Sequence, residues 1–143
     1  VRQVYRFPGA RPEVGVLPVQ LTELGAESVF FDAVPGTFHC LQWHGAEITR
    51  LPEGGRVLAT TPECAVQAMS WGPRALSMQF HLEVEADTAS AWTAIPEYRV
   101  ALERNMGTGG AERMIADCAR HIGAMNANAE RIYINWLQAA AQA

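Results

Sequence analysis

The hydrophobic pattern of this sequence changes near Glu85, and that change constrains the fold more than any other feature. Before it, short β-branched or alternating apolar runs are separated by turns rich in glycine and proline, which is typical of strands. After it, apolar residues recur at the three- and four-residue spacing of helices. Strands first and helices last predict an α+β chain or the C-terminal part of an α/β fold, with a strand-rich segment 1–85 and a helical segment 86–143.

Most of the first segment is predicted to be extended. The strand-like runs are residues 14–22, 37–44, 56–60, 65–71 and 75–80. Gly72, Pro73 and Arg74 join the last two runs, which is typical of a β-hairpin. Pro18 has no backbone N–H to donate, so we expect the first strand to lie at an edge or to carry a bulge.

Three helices are predicted after Glu85. Asp87 is suited to cap a helix over about residues 88–94, and Pro96 is suited to begin a second one. A long helix is predicted from Ala111 to about Ala140. Its apolar stripe consists of Met114, Ile115, Cys118, Ile122, Met125, Ile132, Trp136 and Leu137.

The charge of the chain excludes several classes of function. The formal net charge is -4 at pH 7, and all 11 basic residues are arginine. An acidic chain lacks the basic face that a general nucleic-acid binder needs, and the absence of lysine excludes Schiff-base chemistry within the chain. No window approaches the ~20 apolar residues of a membrane span. We therefore expect neither a nucleic-acid nor a membrane partner.

The cysteine pattern indicates a reducing compartment, and the histidine pattern does not indicate a metal site. Cys40, Cys64 and Cys118 are odd in number and form no C-x-x-C pair, so a disulfide framework is not expected and a cytoplasmic location is favoured. The spacing of His39 and His44 fits no usual zinc motif. We therefore expect no metal site.

The segment of residues 79–85 (QFHLEVE) is the clearest candidate for chemistry. Alternate side chains of an extended chain leave the same face, so His81 and Glu83 point the same way. A carboxylate in that position holds one imidazole nitrogen and leaves the other free to move a proton, as in a nucleophilic triad. The same pattern is also typical of a strand-end histidine beside a solvated glutamate, so both interpretations stay open.

Five short motifs occur in one order along the chain. They are residues 13–22 (EVGVLPVQLT), 41–45 (LQWHG), 51–55 (LPEGG), 64–68 (CAVQA) and 79–84 (QFHLEV). In this order they resemble class I glutamine amidotransferase domains, in particular the stand-alone group similar to the glutaminase part of GMP synthase. The resemblance implies the C-terminal portion of a three-layer, flavodoxin-like α/β fold whose sheet begins upstream.

The resemblance also implies a function, which is hydrolysis of a γ-glutamyl amide by a Cys–His–Glu triad. His81 and Glu83 fall on the histidine and glutamate of that triad, and His44 falls on a position near the glutamine pocket. Leu82 replaces the usual proline, and Ala46 stands where an aspartate is usual. The implied partners are glutamine or another γ-glutamyl substrate and a synthase that accepts ammonia, and no cofactor is implied.

The nucleophile of that family is a cysteine on a G-x-C-x-G turn, and none of the three cysteines here has that setting. We therefore expect the chain to carry the base and its orienting acid only, to need the missing N-terminal half of the same domain, and to be inactive alone. Two alternatives stay open. One is a non-catalytic relative that keeps the fold for binding or assembly, and the other is an unrelated α+β binding module.

Overall fold

The computed structural model describes residues 4–5 and 12–142, and its main feature is an antiparallel sheet of five strands. The strands of the chain are β1 (Val4–Tyr5), β2 (Glu13–Leu21), β3 (Thr37–His44), β4 (Glu47–Ile48), β5 (Gly55–Thr60), β6 (Ala68–Trp71) and β7 (Ala75–Met78). The five-stranded sheet has the order β3-β2-β5-β6-β7, and β1 pairs with β4 apart from it. The predicted strands are therefore present, with the hairpin strands shorter than their apolar runs.

The sheet is curled, because the chain beyond its last strand returns to the strand at its other end. After β7 the backbone reaches the outer edge of β3, where His81 and Leu41 exchange two hydrogen bonds with N···O distances of 2.8 and 2.9 Å. Directly opposed residues of an antiparallel pair project their side chains to the same face. His81 therefore lies on the face of β3 that Leu41 occupies.

Pro18 lies in an interior strand, at a place where that strand is paired on one side. β2 pairs with β3 over residues 13–20, but it pairs with β5 at Gln20 and Leu21 alone. The N–H of Leu21 points towards β3, so alternation along the strand turns the nitrogen of Pro18 away from β3. The prediction of an edge strand was wrong for β2 as a whole, yet Pro18 occupies a locally open edge.

Four helices accompany the sheet. They are α1 (Glu23–Ala26), α2 (Thr88–Thr93), α3 (Pro96–Met106) and α4 (Gly110–Ala141), with a 3-10 turn at Val29–Phe31. Asp87 precedes α2 as predicted, but its side chain makes no capping hydrogen bond. α4 packs against β3, α3 and the 3-10 turn. Within residues 4–5 and 12–142, no helix is long and apolar enough to cross a membrane.

The buried side of α4 departs from the predicted stripe near its C-terminus. Trp136 and Leu137 are 37% and 44% exposed, whereas Asn135 is buried. The amide of Asn135 donates hydrogen bonds to the carbonyl oxygens of Phe30 and Asp32, at 3.1 and 2.9 Å. These bonds give hydrogen-bond donors to carbonyl groups at the 3-10 turn. That need explains why a polar residue occupies a buried position. The stripe was therefore wrong at Trp136 and Leu137, because a polar contact sets the orientation of the last turns.

Candidate active site

His81 and Glu83 are brought together just after β7. Nδ1 of His81 lies 2.6 Å from Oε1 of Glu83, and Oε2 of the same carboxylate accepts the backbone N–H of Leu82 at 2.9 Å. Both carboxylate oxygens are therefore engaged. The hydrogen bonds to Leu41 fix the backbone of His81, so the imidazole is held both at its backbone and at one ring nitrogen.

The charge state of Glu83 decides which ring nitrogen carries the proton. Partial burial acts to raise the pKa of Glu83, but hydrogen bonds from His81 and from the backbone N–H groups of Glu83 and Leu82 outweigh it, and the pKa lies below its ordinary value. An ionised carboxylate only accepts hydrogen bonds, so Nδ1 of His81 is the donor. In the neutral ring Nε2 then carries no proton, and the His81 side chain as a whole is 39% exposed.

One aromatic ring packs on His81, and two further rings extend the contact to other elements. The indole of Trp92 on α2 lies 5.6 Å from the imidazole between ring centroids, at an interplanar angle of 85°. Trp92 packs in turn on Trp43 of β3 at 5.5 Å, and Trp43 packs on Tyr98 of α3 at 5.1 Å. Sequence reasoning did not connect these rings with His81. The signal for one of them was strand alternation, which places Trp43 on the same face as Leu41.

The sequence is similar to parts of several GMP synthases. The glutamine-hydrolyzing GMP synthase of Neisseria meningitidis serogroup C is 31% identical over 78 residues, which cover 54% of this chain and 15% of that protein. The enzyme of the same name from Lactococcus lactis subsp. cremoris is 40% identical over 73 residues, covering 50% of this chain and 14% of that protein. No protein-family model matches the sequence.

Solved structures share the fold over nearly the whole chain. A glutamine amidotransferase from Thermotoga maritima superposes with a TM-score of 0.76 at 24% identity, over 92% of this chain and 53% of that one. A glutamine amidotransferase from Methylobacillus flagellatus gives 0.77 at 20% identity, over 96% and 55%. The chain is thus similar to class I glutamine amidotransferase domains, in sequence over about half of its length and in fold over nearly all of it. Its fold is part of their three-layer, flavodoxin-like α/β fold, and it spans about half the length of these two structures.

His44 lies apart from the His81–Glu83 pair. Its position, three residues from Leu41, puts it on the opposite face of β3. Nδ1 of His44 is 2.9 Å from the carbonyl oxygen of Ala46, and Nε2 is 3.6 Å from Oε2 of Glu13. Gln67 donates to the same Glu13 oxygen at 2.6 Å. His44 therefore belongs to a polar cluster between β2, β3 and the segment before β6, and the structure does not bring it to the candidate site.

None of the three cysteines of the chain has the exposed, low-pKa thiol of a nucleophile. All three are buried and free. Burial, with the Glu13 carboxylate adding to it, raises the pKa of Cys40, and burial is also the largest cause of the raised pKa of Cys64. Burial and Asp117 raise the pKa of Cys118 to about 11. The reactive form of cysteine is the thiolate, and burial disfavours that form at all three positions.

We expect all three thiols to react slowly with an aromatic disulfide reagent at pH 7.5. The rate for each should be at least ~100-fold below that of the unfolded chain, because burial suppresses both access and ionisation. Thionitrobenzoate release in buffer and in 8 M urea measures the two rates. A single fast thiol in the folded chain would contradict this result and would make that cysteine a candidate nucleophile.

An apolar groove of about 270 Å³ lies beside Glu83 on the surface of the chain. It is lined by Leu76, Met78, Leu82, Glu83, Ala129, Ile132, Tyr133 and Trp136. β7, which supplies one wall, ends the strand order and has no further strand beside it among the described residues. Over the same residues, no group of three or more His, Cys, Asp and Glu side chains could hold a metal ion. An open strand edge and an apolar wall thus adjoin the His81–Glu83 pair.

Proposed function

We propose that this chain supplies the proton-transferring part of a glutamine-hydrolysing active site. The observation that carries the proposal is the 2.6 Å contact between Nδ1 of His81 and Oε1 of Glu83, beside an exposed imidazole edge. The side chain of His81 is not buried, and Glu83 uses both of its oxygens on neighbouring groups of the chain. The arrangement fits a general base and the acid that orients it.

The proposed reaction has two steps. His81 takes the proton of a cysteine thiol, the thiolate attacks the side-chain amide carbon of glutamine, and the imidazolium gives that proton to the departing ammonia. In the second step Nε2 of His81 takes a proton from water as the water attacks the thioester, and the proton returns to the thiolate as glutamate leaves. Glu83 accepts the hydrogen bond from Nδ1 throughout and stabilises the imidazolium.

The thiol is proposed to come from the remaining half of the amidotransferase domain. Each cysteine of this chain is buried with a raised pKa, so none supplies the thiolate. The apolar groove and the open edge of β7 lie beside Glu83, where a further strand can pair and bury its apolar side chains. Docking there would bring a nucleophile next to His81.

The substrate and the acceptor are proposed from the relatives. Both curated relatives named above are glutamine-hydrolyzing GMP synthases, which supports glutamine as the substrate and a synthase that consumes the released ammonia as the partner. The proposed location is the cytoplasm, because three free thiols fit a reducing compartment.

A chimera tests the proposed function. Residues 12–142 of this chain replace the matching part of the Thermotoga maritima amidotransferase, and the rest of that protein is kept. We expect the chimera to release glutamate from glutamine in a dehydrogenase-coupled assay. The 143-residue chain alone should show no rate above that of its His81→Ala variant.

The parent Thermotoga maritima protein is the positive control, and a cooperative thermal transition verifies that the chimera is folded. A folded chimera without activity, beside an active parent, would refute the proposed function. That outcome would favour the alternative, a non-catalytic domain that keeps the fold for binding or assembly.

A further inference from the structure

The imidazole of His81 needs a second support besides Glu83. The side chain of Glu83 is 71% exposed, and an ion pair at an exposed position is weak because water competes for both groups. The hydrogen bonds to Leu41 fix the backbone of His81 but leave its side-chain torsions free. A hydrogen bond to a carboxylate that water can reach holds the ring only weakly.

Trp92 is placed to give that support. Its indole stands nearly perpendicular to the imidazole, at 85° and 5.6 Å between centroids, which is a preferred geometry for two aromatic rings. A ring in this position blocks rotation of His81 towards α2. The indole thus limits the motion that the carboxylate leaves open.

Trp92 is itself held firmly. α2 is anchored by Ala89 and Thr93, which are buried on either side of Trp92 in the sequence. The indole packs on Trp43 at 5.5 Å and 72°, and Trp43 belongs to β3. β3 therefore holds both residues. Its backbone bonds to His81, and its Trp43 packs on Trp92.

We infer that Trp92 is a positioning residue, whose indole keeps the His81 ring in the orientation where Nδ1 meets Glu83 and Nε2 points away from that carboxylate. The consequence for catalysis rests on the proposed function. The orientation of the ring is a property of this chain alone and is measured without substrate.

The test uses NMR on the 143-residue chain with labelled histidine, comparing wild type with Trp92→Met and Trp92→Phe. Methionine fills space without a flat ring, whereas phenylalanine keeps one. We expect Trp92→Met to raise the population of a second His81 χ1 rotamer by about threefold or more, and Trp92→Phe to stay near wild type. The pKa of Glu83, read from its carboxyl carbon, should rise towards its ordinary value in Trp92→Met as the hydrogen bond from Nδ1 is lost.

Trp71→Leu is the matched control, because Trp71 is an exposed tryptophan on β6 whose indole donates to the carbonyl oxygen of Glu53. It should leave the His81 rotamer and the Glu83 pKa unchanged. Thermal unfolding verifies the fold of each variant, and Trp92→Leu replaces Trp92→Met if the latter unfolds. A folded Trp92→Met or Trp92→Leu variant with an unchanged rotamer and Glu83 pKa would overturn the inference.

Activity in the chimera separates this inference from the proposed function. If the wild-type chimera is active, Trp92→Met should lower kcat with little change in KM, because it misplaces the proton-transferring nitrogen and removes no substrate contact. If the wild-type chimera is folded but inactive, the proposed function fails, and the NMR result still decides the role of Trp92.

Discussion

Replacing Gly25 with alanine is expected to cost about 3 kcal/mol of unfolding free energy or more, a large fraction of the stability of a domain of this size. A Cβ atom at Gly25 would lie 1.9 Å from the carbonyl oxygen of Leu58, well inside any contact distance. Leu58 cannot give way, because that oxygen accepts the N–H of Thr22 at 2.9 Å and its strand, β5, lies inside the sheet. α1 would have to move off β5 to admit a single methyl group.

Urea unfolding followed by circular dichroism measures this loss. Gly123→Ala is the matched control, since a Cβ at Gly123 meets nothing within 4 Å and the residue lies in the interior of α4. That substitution should stabilise the chain by up to ~1 kcal/mol, because alanine favours a helix more than glycine does. A Gly25→Ala variant with the wild-type midpoint would show that α1 does not pack against β5 as closely as described.

Removing the imidazole of His81 is expected to lower kcat of the active chimera by about 10²- to 10⁴-fold, the usual contribution of a positioned general acid or base. Glu83→Gln should lower kcat by at least about tenfold, because a neutral amide neither holds Nδ1–H as strongly nor stabilises the imidazolium. The effect of the second change is smaller, since the ring remains present and packed on Trp92.

Initial rates of glutamate release over a range of glutamine concentrations separate kcat from KM in these variants. His39→Ala is the matched control, because His39 is an exposed histidine on β3, and its ring stacks on His121 at 4.4 Å. Its kcat should equal that of the unsubstituted chimera. Equal losses for His39→Ala and His81→Ala, or a full rate for Glu83→Gln, would remove His81 and Glu83 from the proposed roles.

The features that could be predicted from the sequence depend on contacts between near neighbours. The strands and helices follow local hydrophobic period and turn residues, and the contact of His81 with Glu83 joins residues two positions apart. The fold class could be predicted because five motifs occur in register, and the similar structures confirm it. Local pattern was sufficient in each of these cases.

The features that the sequence did not predict depend on distant partners. Asn135 is buried because it donates a hydrogen bond to Phe30, 105 positions away. The spacing of apolar residues along a helix cannot predict such a contact. The next two residues, Trp136 and Leu137, are partly exposed despite their apolar character. The support of His81 by Trp92 joins two elements whose relative placement is set by packing on β3.

The backbone bridge between Leu41 and His81 makes the site dependent on the whole sheet. The two residues are forty positions apart, and β5, β6 and β7 all lie between them. Closing so long a loop costs conformational entropy. Favourable contacts offset that cost only when the intervening strands are paired. A chain caught part-way through folding therefore displays no oriented imidazole. A protease cut in one of the connecting turns is expected to weaken the bridge, because the cut removes the covalent loop that joins its two residues.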